Sequence, residues 1–318
     1  MENQKITRGS LNIQNVMANS VYLQKVLNTC DILCLQEHWM MSFEKHELDN
    51  ISDTHIVTAK SVDEGKDDRI NFMNIRAYGG VAIYWRKGIN HAIQVKQDGN
   101  ITIHAQPKSI CLINAYPPSE NKEADEQYKD TLEQISEIIQ KFKDTHNMLI
   151  CGNMNASLHR DNRTKDMNYK HFISENDLQM ANQYLCKSTF FHHNGKSESQ
   201  IDYFIHHEQN NVPYSVKIHD MDPINVSDHT MISATLEVSL KRIKKCTVLN
   251  ISKPKWKKCD IEVYRNSIKE NIMEIDNLEE NCRNYRKIRK CTTQCHQTAH
   301  TEKTVELKEV AIKYGTEI

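Results

Sequence analysis

The sequence has few glycines and prolines and no long apolar run. Its 318 residues include only 9 Gly and 6 Pro, which excludes collagen-like and glycine-rich low-complexity proteins. The apolar runs are far shorter than the ~20 residues of a membrane-spanning helix, so we expect no membrane partner. The N-terminal residues MENQKITRGS lack the apolar stretch of a secretory signal. We therefore expect an intracellular protein, in the nucleus or the cytoplasm, and not a secreted one.

Closely spaced cysteine pairs are also missing. The 10 Cys are irregularly spaced, and no CxxC pair occurs. Three of them, Cys34, Cys111 and Cys151, lie inside apolar runs that are typical of strands. We interpret them as reduced, mostly buried thiols and not as a disulfide framework.

The net charge of −1 conceals an uneven distribution along the chain. Residues 239–318 contain 18 Lys and Arg against 11 Asp and Glu, so the preceding part is acidic. The change occurs at the basic run KRIKK, which begins at residue 241. We expect a globular domain over residues 1–240 and a basic, mostly helical connector or tail over residues 241–318.

Strand and helix signals alternate through the first 238 residues. The clearest helix is predicted over 123–144, where apolar residues recur at intervals of three and four. Shorter helices are predicted over 19–27 and 170–176. Strands are predicted over 10–16, 31–37, 55–59, 80–85, 92–95, 101–105, 110–115, 148–152, 200–205, 215–219 and 231–238. Many short strands with few helices predict a mixed α/β (α+β) fold, a four-layer sandwich of two mixed sheets packed face to face and flanked by helices.

Polar residues follow or interrupt several predicted strands. They occur in six short motifs, in chain order: LNIQN, LQEHW, NAYPP, GNMNAS, SQIDYF and SDH. Taken singly, each motif is ordinary, because a glutamate after a strand is usually solvated and an Asp-His pair usually marks a turn. Asp202 is harder to dismiss, since a carboxylate inside an apolar run is costly unless it is paired. The order and spacing of all six motifs carry the signal.

Together these residue types suit metal-assisted phosphoryl chemistry. Mg²⁺ is usually held by one or two carboxylates plus phosphate oxygens of the substrate. Glu37 and Asp228 are the natural ligands, with Asn12 positioning them. Hydrolysis of a phosphodiester also requires stabilisation of a charged transition state, and His229, Tyr116 and Asn155 can donate hydrogen bonds to it. Asp202 can fix the tautomer of His229.

The six motifs in this order resemble the endonuclease/exonuclease/phosphatase superfamily. Within it, the stretches FFHHNGKSESQIDYF and KPKWKKCDIEVYRNSI resemble the endonuclease of non-LTR, LINE-type retrotransposons and its connector towards a reverse transcriptase. The resemblance implies a Mg²⁺ enzyme, with Mn²⁺ as a substitute, that cuts double-stranded DNA as a monomer. It also implies that the loop 191–199 touches DNA. The residues of this loop that we expect to bind DNA are His192, His193, Asn194 and Lys196.

One position departs from the pattern of the superfamily. The motif reads Gly-Asp-x-Asn there, whereas this chain has Asn153 in place of the aspartate. That aspartate orients, and is expected to deprotonate, the attacking water. An amide cannot take a proton, and loss of a positioned general base costs on the order of 10²–10⁴ in rate.

Three functions stay open on the sequence alone. The first is a retroelement-type DNA endonuclease with weakened turnover. The second is a catalytically inactive module that keeps the fold and binds nucleic acid or another partner. The third is another superfamily activity, such as a phosphatase or a deadenylase.

Overall fold

A computed structural model describes residues 3–64, 78–96, 100–119, 124–180, 186–208, 214–243, 262 and 265. The chain divides into one unit of residues 1–244 and a second of residues 245–318. The first unit contains all the strands and helices described below. Apart from residues 262 and 265, the helices predicted within the C-terminal tail lie outside the described residues.

Fifteen strands and four α-helices are described. The strands are β1 (Gln4–Asn12), β2 (Ile32–Gln36), β3 (His55–Lys60), β4 (Val81–Arg86), β5 (Ile93–Val95), β6 (Ile101–Ile103), β7 (Ala105–Gln106), β8 (Ser109–Ala115), β9 (His146–Asn153), β10 (Leu178–Met180), β11 (Phe190–Phe191), β12 (Glu198–Ser199), β13 (Asp202–His207), β14 (Tyr214–Ile218) and β15 (Ile232–Leu240). The helices are α1 (Ser20–Leu27), α2 (His46–Asp49), α3 (Ala124–Phe142) and α4 (Thr164–Glu175), with 3-10 turns at Ser42–Glu44 and Lys87–Ala92.

The strands form two mixed sheets. The first has the order β14-β15-β1-β2-β4-β3, with β7 beside β15, and the second has the order β10-β13-β9-β8-β6-β5. Alternation along the strands divides the core into layers. In β2, Ile32 and Cys34 pack between the sheets, whereas Leu33 and Leu35 face the layer that contains α1. Helix α3 packs on the outer face of the second sheet. The predicted four-layer α/β sandwich is therefore confirmed.

Several element boundaries differ from the prediction. Strand β1 ends at Asn12 and not at residue 16, because Gln14 and Asn15 adopt left-handed backbone angles (φ 43° and 78°). Helix α4 is longer than the predicted 170–176. Strands β10, β11 and β12 were not predicted, since runs of two or three residues carry no usable alternation.

Parallel pairing brings the polar strand ends to one edge of the sandwich. Strand β1 runs parallel to β2, with Asn12 opposite Gln36, and β8 runs parallel to β9. Strand β13 starts beside the end of β9, with Asp202 opposite Asn153. Because parallel strands end at the same edge, four motifs that are distant in sequence meet there.

A buried arginine lies beneath this edge. Arg8 is on β1, between the sheets near Cys34 and Cys151, and it is 1% exposed. None of its three guanidinium nitrogens has a hydrogen-bond partner among the described residues. Burial lowers the pKa of Arg8 to about 10, against the smaller opposing effect of the two cysteines. The guanidinium therefore keeps its charge at neutral pH, and no hydrogen-bond partner for it lies in the described part of the chain.

Five of the ten cysteines are among the described residues. Cys30, Cys34, Cys111 and Cys151 are buried and Cys186 is exposed, and none of these five is in a disulfide. Across the described ranges, no helix is long and apolar enough to cross a bilayer.

Candidate active site

Eight of the predicted site residues form one linked cluster at the polar edge. They are Asn12, Glu37, Tyr116, Asn153, Asn155, Asp202, Asp228 and His229. Four of them, Asn12, Asn153, Asp202 and His229, are at most 3% exposed and form its floor. The other four are half-buried and border the floor. The cluster therefore has a buried base and a rim that solvent can reach.

The carboxylate of Glu37 accepts three hydrogen bonds. Its Oε1 accepts the amide N–H of Asn12 at 2.6 Å and the hydroxyl of Tyr116 at 2.8 Å. Its Oε2 accepts the indole N–H of Trp39 at 3.1 Å. Burial raises the pKa of Tyr116, and the negative charge of Glu37 and the hydrogen bond between Tyr116 and Glu37 raise it further. The phenol of Tyr116 therefore stays protonated as a donor. The carboxylate is thereby fixed in place.

A strained turn carries Glu37 away from the end of β2. Glu37 and Trp39 both have φ of 56°, a left-handed angle that non-glycine residues rarely adopt. The residue between them, His38, is fully buried, and its Nδ1 accepts the backbone N–H of Met40 at 3.0 Å. Gly80 makes room for this ring, because a Cβ there would lie 2.4 Å from His38 Nε2. The buried imidazole thus holds the turn.

Asp202 and His229 form a buried pair. Oδ2 of Asp202 lies 2.9 Å from Nδ1 of His229 and accepts the hydroxyl of Thr189 at 2.7 Å. A carboxylate accepts only N–H or O–H, so the proton is on Nδ1 and Nε2 is the nitrogen that can act on a ligand. The ring of Phe190 covers the imidazole, with 5.0 Å between ring centroids.

The pKa of His229 is raised above its ordinary value. Burial alone would lower it, but Asp202, then Glu37 and Asp228, favour the charged form more strongly. The electrostatic effect of all three carboxylates on one imidazole shows that they share a site. A shift in this direction favours the cationic imidazole, which suits contact with an anionic group of the substrate.

Asn153 is the last residue of β9, and its side-chain orientation is fixed. Its Oδ1 accepts the backbone N–H of Asn155 at 2.8 Å. Only the oxygen of an amide can accept, so the NH₂ group lies on the other side of the side chain. An aspartate in this orientation would present a second acceptor oxygen where Asn153 has a donor. The preceding Gly152 is required, since its φ is 138° and a Cβ would lie 1.9 Å from the carbonyl oxygen of Ala115.

Two residues that the sequence assigned to the phosphate side contact other groups. The hydroxyl of Tyr116 binds Glu37 on the metal side, and the NH₂ of Asn155 donates to the carbonyl oxygen of Pro117 at 2.9 Å. A further hydrogen bond links Asn155 to Tyr116. Both side chains therefore contact the rim in this structure, and their role at the phosphate stays a prediction.

Asp228 and His229 are fixed to the end of β1 and to the turn after it by hydrogen bonds between side chains and backbone. The N–H of Asp228 donates to Oε1 of Gln14 at 2.8 Å. The hydroxyl of Ser227 donates to the carbonyl oxygen of Asn12 at 2.7 Å and accepts the N–H of His229 at 3.1 Å. The SDH motif is therefore positioned by the strand that supplies Asn12.

The predicted DNA-binding loop is a β-hairpin formed by β11 and β12. Its base joins the site, because the N–H of Phe191 donates to the carbonyl oxygen of Asp228 at 2.8 Å. At the tip, His192 is half-buried, and its ring stacks on His193 with centroids 4.1 Å apart. Asn194 and Lys196 are exposed. The hairpin thus projects from the segment that contains Asp228 and His229, ahead of β15.

Sequence reasoning missed three supports of the site. Trp39 lies in the LQEHW motif, but its contact with Glu37 depends on the left-handed turn. Thr189 belongs to no motif. A buried amide pair, Gln36 and Asn114, joins the two sheets beneath the site through a 2.7 Å hydrogen bond. Gln36 lies in the motif LQEHW and Asn114 lies in the motif NAYPP. Membership of these motifs was the only sign of the pair in the sequence.

The site suits a hard divalent cation with few protein ligands. Within the described residues, no group of three or more His, Cys, Asp or Glu side chains is placed to hold a metal ion. Mg²⁺ does not need such a group, since it keeps several waters and uses one or two carboxylates. Oε2 of Glu37 accepts one hydrogen bond from the described residues and keeps a second acceptor position. Glu37 and Asp228 would hold the ion, and Asn12 and Tyr116 would fix Glu37.

Comparison with known proteins places this geometry in a family. The model of the endonuclease/exonuclease/phosphatase family matches residues 9–229. A search of curated proteins found no match. Several solved structures share the fold. The APE2 catalytic domain of Xenopus laevis matches with a TM-score of 0.57 at 14% sequence identity. The match covers 76% of this chain and 95% of the APE2 chain.

Two further structures are similar. The endonuclease domain of TRAS1, a telomere-specific non-LTR retrotransposon, has a TM-score of 0.53 at 14% identity, with 73% of this chain and 98% of that one covered. The 3′ phosphatase NExo from Neisseria, an aspartate-to-asparagine variant bound to product DNA hairpin, has a TM-score of 0.53 at 12% identity, with 74% and 99% covered. These likenesses show the fold, and the family match covers more than half of the sequence. The chain belongs to the endonuclease/exonuclease/phosphatase family.

Proposed function

We propose that the protein is a Mg²⁺-dependent phosphodiester hydrolase that nicks double-stranded DNA, with turnover reduced by Asn153. The observation that carries this proposal is the buried Asp202–His229 pair, which shares one site with the carboxylates of Glu37 and Asp228. The superfamily generally depends on a divalent metal ion. Mn²⁺ is the expected substitute, and we propose a monomer that acts inside the cell.

The metal side of the site is proposed to be Glu37, Asp228 and Asn12. A bound Mg²⁺ supplies positive charge at the phosphate of the substrate. Oε1 of Glu37 is occupied by Asn12 and Tyr116, so Oε2 is the oxygen that would hold the ion. The two fixed hydrogen bonds on Oε1 reduce the freedom that Glu37 would lose on binding.

The phosphate side is proposed to be His229, fixed by Asp202. Its protonated Nδ1 faces Asp202, and its Nε2 would donate a hydrogen bond to a phosphate oxygen when the ring is cationic. Such a preformed donor stabilises the charge that develops in the transition state. The raised pKa keeps the imidazole cationic to a higher pH than an ordinary histidine.

Asn153 is proposed to impair the water-activating step and to leave binding intact. Asn155 uses one of the two acceptor positions of its amide oxygen, and the NH₂ group stands where an aspartate would present a second acceptor oxygen to the water. The loss of a general base corresponds to a rate lower by about 10²–10⁴. The fold keeps its shape, because the amide and the carboxylate are nearly isosteric.

The substrate is proposed to be double-stranded DNA held partly by the hairpin. The NExo structure contains a DNA hairpin, and TRAS1 is described as an endonuclease. On this chain, the candidate contacts at the hairpin tip are His192, His193, Asn194 and Lys196. Lys196 would add charge at the phosphate backbone.

A second candidate function is a binding module without catalysis, which the same Asn153 favours. A donor at this position would bind a phosphate oxygen well but would not remove a proton from water. The fold and the His229 side of the site would then serve recognition. A retroelement copy that has lost selection for cutting would have the same properties.

A supercoiled-plasmid nicking assay with Mg²⁺ separates these functions. The unaltered full chain is compared with Asn153→Asp, His229→Ala and Asn147→Asp. Asn147 is a buried residue on the same strand at its other end, so Asn147→Asp controls for a carboxylate added elsewhere. We expect Asn153→Asp to nick about 10²–10⁴ faster than the unaltered chain, and Asn147→Asp to have no such effect.

The other results have distinct meanings. If the unaltered chain nicks well and His229→Ala abolishes nicking, the chain is a full enzyme and the importance given to Asn153 is wrong. If neither the unaltered chain nor Asn153→Asp cuts while DNA still binds, the enzyme proposal fails and the binding module takes its place.

A further inference from the structure

Trp39 connects the solvent-exposed rim to the metal side of the site. Its indole N–H donates to Oε2 of Glu37 at 3.1 Å. Its ring packs against Tyr78, with centroids 4.7 Å apart and the planes tilted by 52°. Tyr78 is 60% exposed, whereas Trp39 is half-buried. The two rings therefore form a continuous aromatic surface from solvent to the carboxylate.

The hydrogen bonds on Glu37 give the indole a specific place. A carboxylate offers about four acceptor positions, two on each oxygen. The described residues use both positions of Oε1 and one of Oε2. The position that remains for a cation is on the same oxygen that accepts the indole N–H. Trp39 thereby sets the direction in which Oε2 faces a cation.

The backbone holds Trp39 in this place against its own preference. A left-handed φ of 56° is unusual for a bulky residue. The turn is kept by backbone hydrogen bonds to the opposite loop, from Glu37 N–H to Gly80 O at 2.8 Å and from Trp39 N–H to Gly79 O at 3.1 Å. Strained residues persist where the surrounding structure over-determines them, and they concentrate at functional sites.

We propose that Trp39 is a positioning residue for the metal ligand Glu37, and that Trp39 and Tyr78 form a platform on which an unpaired nucleobase stacks. This inference rests on the proposed function and deepens it, because it names DNA with a locally unpaired base as the preferred substrate. Any of the four nucleobases can stack on an exposed aromatic ring, because each has a flat π-face. Contact of the substrate with the platform and orientation of the metal ligand then depend on the same indole.

Mn²⁺ binding to the full chain, followed by electron paramagnetic resonance, tests the positioning role without any turnover. Trp39→Phe keeps a ring and removes the N–H, and we expect its dissociation constant to rise about 10- to 100-fold. Phe43→Ala is the control, since Phe43 is a nearby aromatic residue with 73% exposure and its removal should leave binding unchanged. Equal Mn²⁺ affinity of Trp39→Phe and the unaltered chain would overturn the positioning role.

A second measurement uses the unaltered chain alone, so it remains valid if the Trp39→Phe variant does not fold. The indole N–H signal of Trp39 in the NMR spectrum of the unaltered chain should broaden at Mn²⁺ levels that leave the Trp85 signal sharp. The Trp85 indole is buried and donates to Asn90, so it is the internal reference. Broadening of Trp85 before Trp39 would refute an ion beside Oε2 of Glu37.

The platform is tested by DNA affinity in the absence of metal. Tyr78→Ala should weaken binding of a duplex with one unpaired base by about tenfold and leave binding of the fully paired duplex unchanged. Tyr78→Phe keeps the ring and should bind both as the unaltered chain does. An equal loss of affinity for both duplexes, or no loss of affinity, would refute the proposed platform.

Glu37→Gln separates failure of this inference from failure of the proposed function. If Glu37→Gln loses Mn²⁺ and Trp39→Phe keeps it, the metal side stands and Trp39 has no positioning role. If Glu37→Gln binds Mn²⁺ as the unaltered chain does, the ion is elsewhere, and the metal assignment of the proposed function fails together with the inference.

Discussion

Replacement of Arg8 by methionine should stabilise the domain. Arg8 lies fully buried between the sheets, and its guanidinium has no partner among the described residues. Cys34 does not supply a counter-charge, because burial raises the pKa of its thiol well above the ordinary value. A buried charge without a partner is costly, and its replacement by a well-packed apolar side chain is often stabilising. Methionine has a similar length and adapts to irregular space.

The structure sets the size of this effect. The pKa of Arg8 falls to about 10, and each pKa unit corresponds to about 1.4 kcal/mol, so the charged form is destabilised by roughly 3 kcal/mol. This penalty is fully present at neutral pH, since it is relieved only as the pH rises through the lowered pKa. For a domain of this size, roughly 3 kcal/mol corresponds to a rise in Tm of roughly 6–12 °C.

Thermal and guanidinium unfolding at neutral pH would measure the change. Arg86→Met is the matched control, because Arg86 donates to the carbonyl oxygens of Cys30 and Asn28 and pairs with Asp31 at 3.1 Å. That variant should lose stability. If Arg8→Met is less stable than the unaltered chain, the guanidinium is satisfied by a buried water or an ionised thiol, and the reasoning from its isolation is refuted.

Three further predictions concern the site and its supporting turn. The raised pKa of His229 means that its contribution to stability is full below about pH 6.5 and is lost as the pH rises through the raised value. Unfolding experiments should therefore show the stability difference between the unaltered chain and His229→Gln shrinking with pH, and a widening difference would contradict this. Mg²⁺ should lower the pKa of His229 in NMR titrations, because a cation at Glu37 offsets the negative charge that raises it, and an unchanged pKa would argue against that ion site. Gly80→Ala should cost roughly 1–3 kcal/mol through its clash with His38, whereas Gly88→Ala, which meets open space, should cost little; equal costs in denaturant unfolding would refute the clash.

The sequence predicted those parts of the fold that depend on local periodicity. The stripe formed by Leu132, Ile135 and Ile139 predicted α3, and the structure buries all three residues. The start of β1 was not predicted, because the local sequence there has no regular alternation of apolar and polar residues. Gln4, Lys5 and other polar residues interrupt the alternation there, and the strand exists because β15 pairs with it along its length.

The candidate site was predicted as a set of residues with only some of its contacts, namely Asp202 with His229 and Asn12 with Glu37. Motif order was enough to group Glu37, Asp202 and His229, although they come from the end of β2, the start of β13 and the residues before β15, in two different sheets. The bonds of Trp39 and Thr189 depend on a left-handed turn and on a short hairpin, which no local pattern indicates. The effect of Asn153 on turnover stays a prediction, as does the role of the basic tail.

The position of β1 inside its sheet has a consequence for synthesis of the protein. Strand β1 is made before the other described strands, yet one of its two neighbours in the sheet, β15, ends at Leu240. Until that strand leaves the ribosome, β1 has a bare edge with unpaired backbone groups, which favours association with other chains. The domain therefore completes its first sheet only after nearly all of its sequence has been translated. A chain that stops before residue 232 should accumulate as aggregate or depend on chaperones.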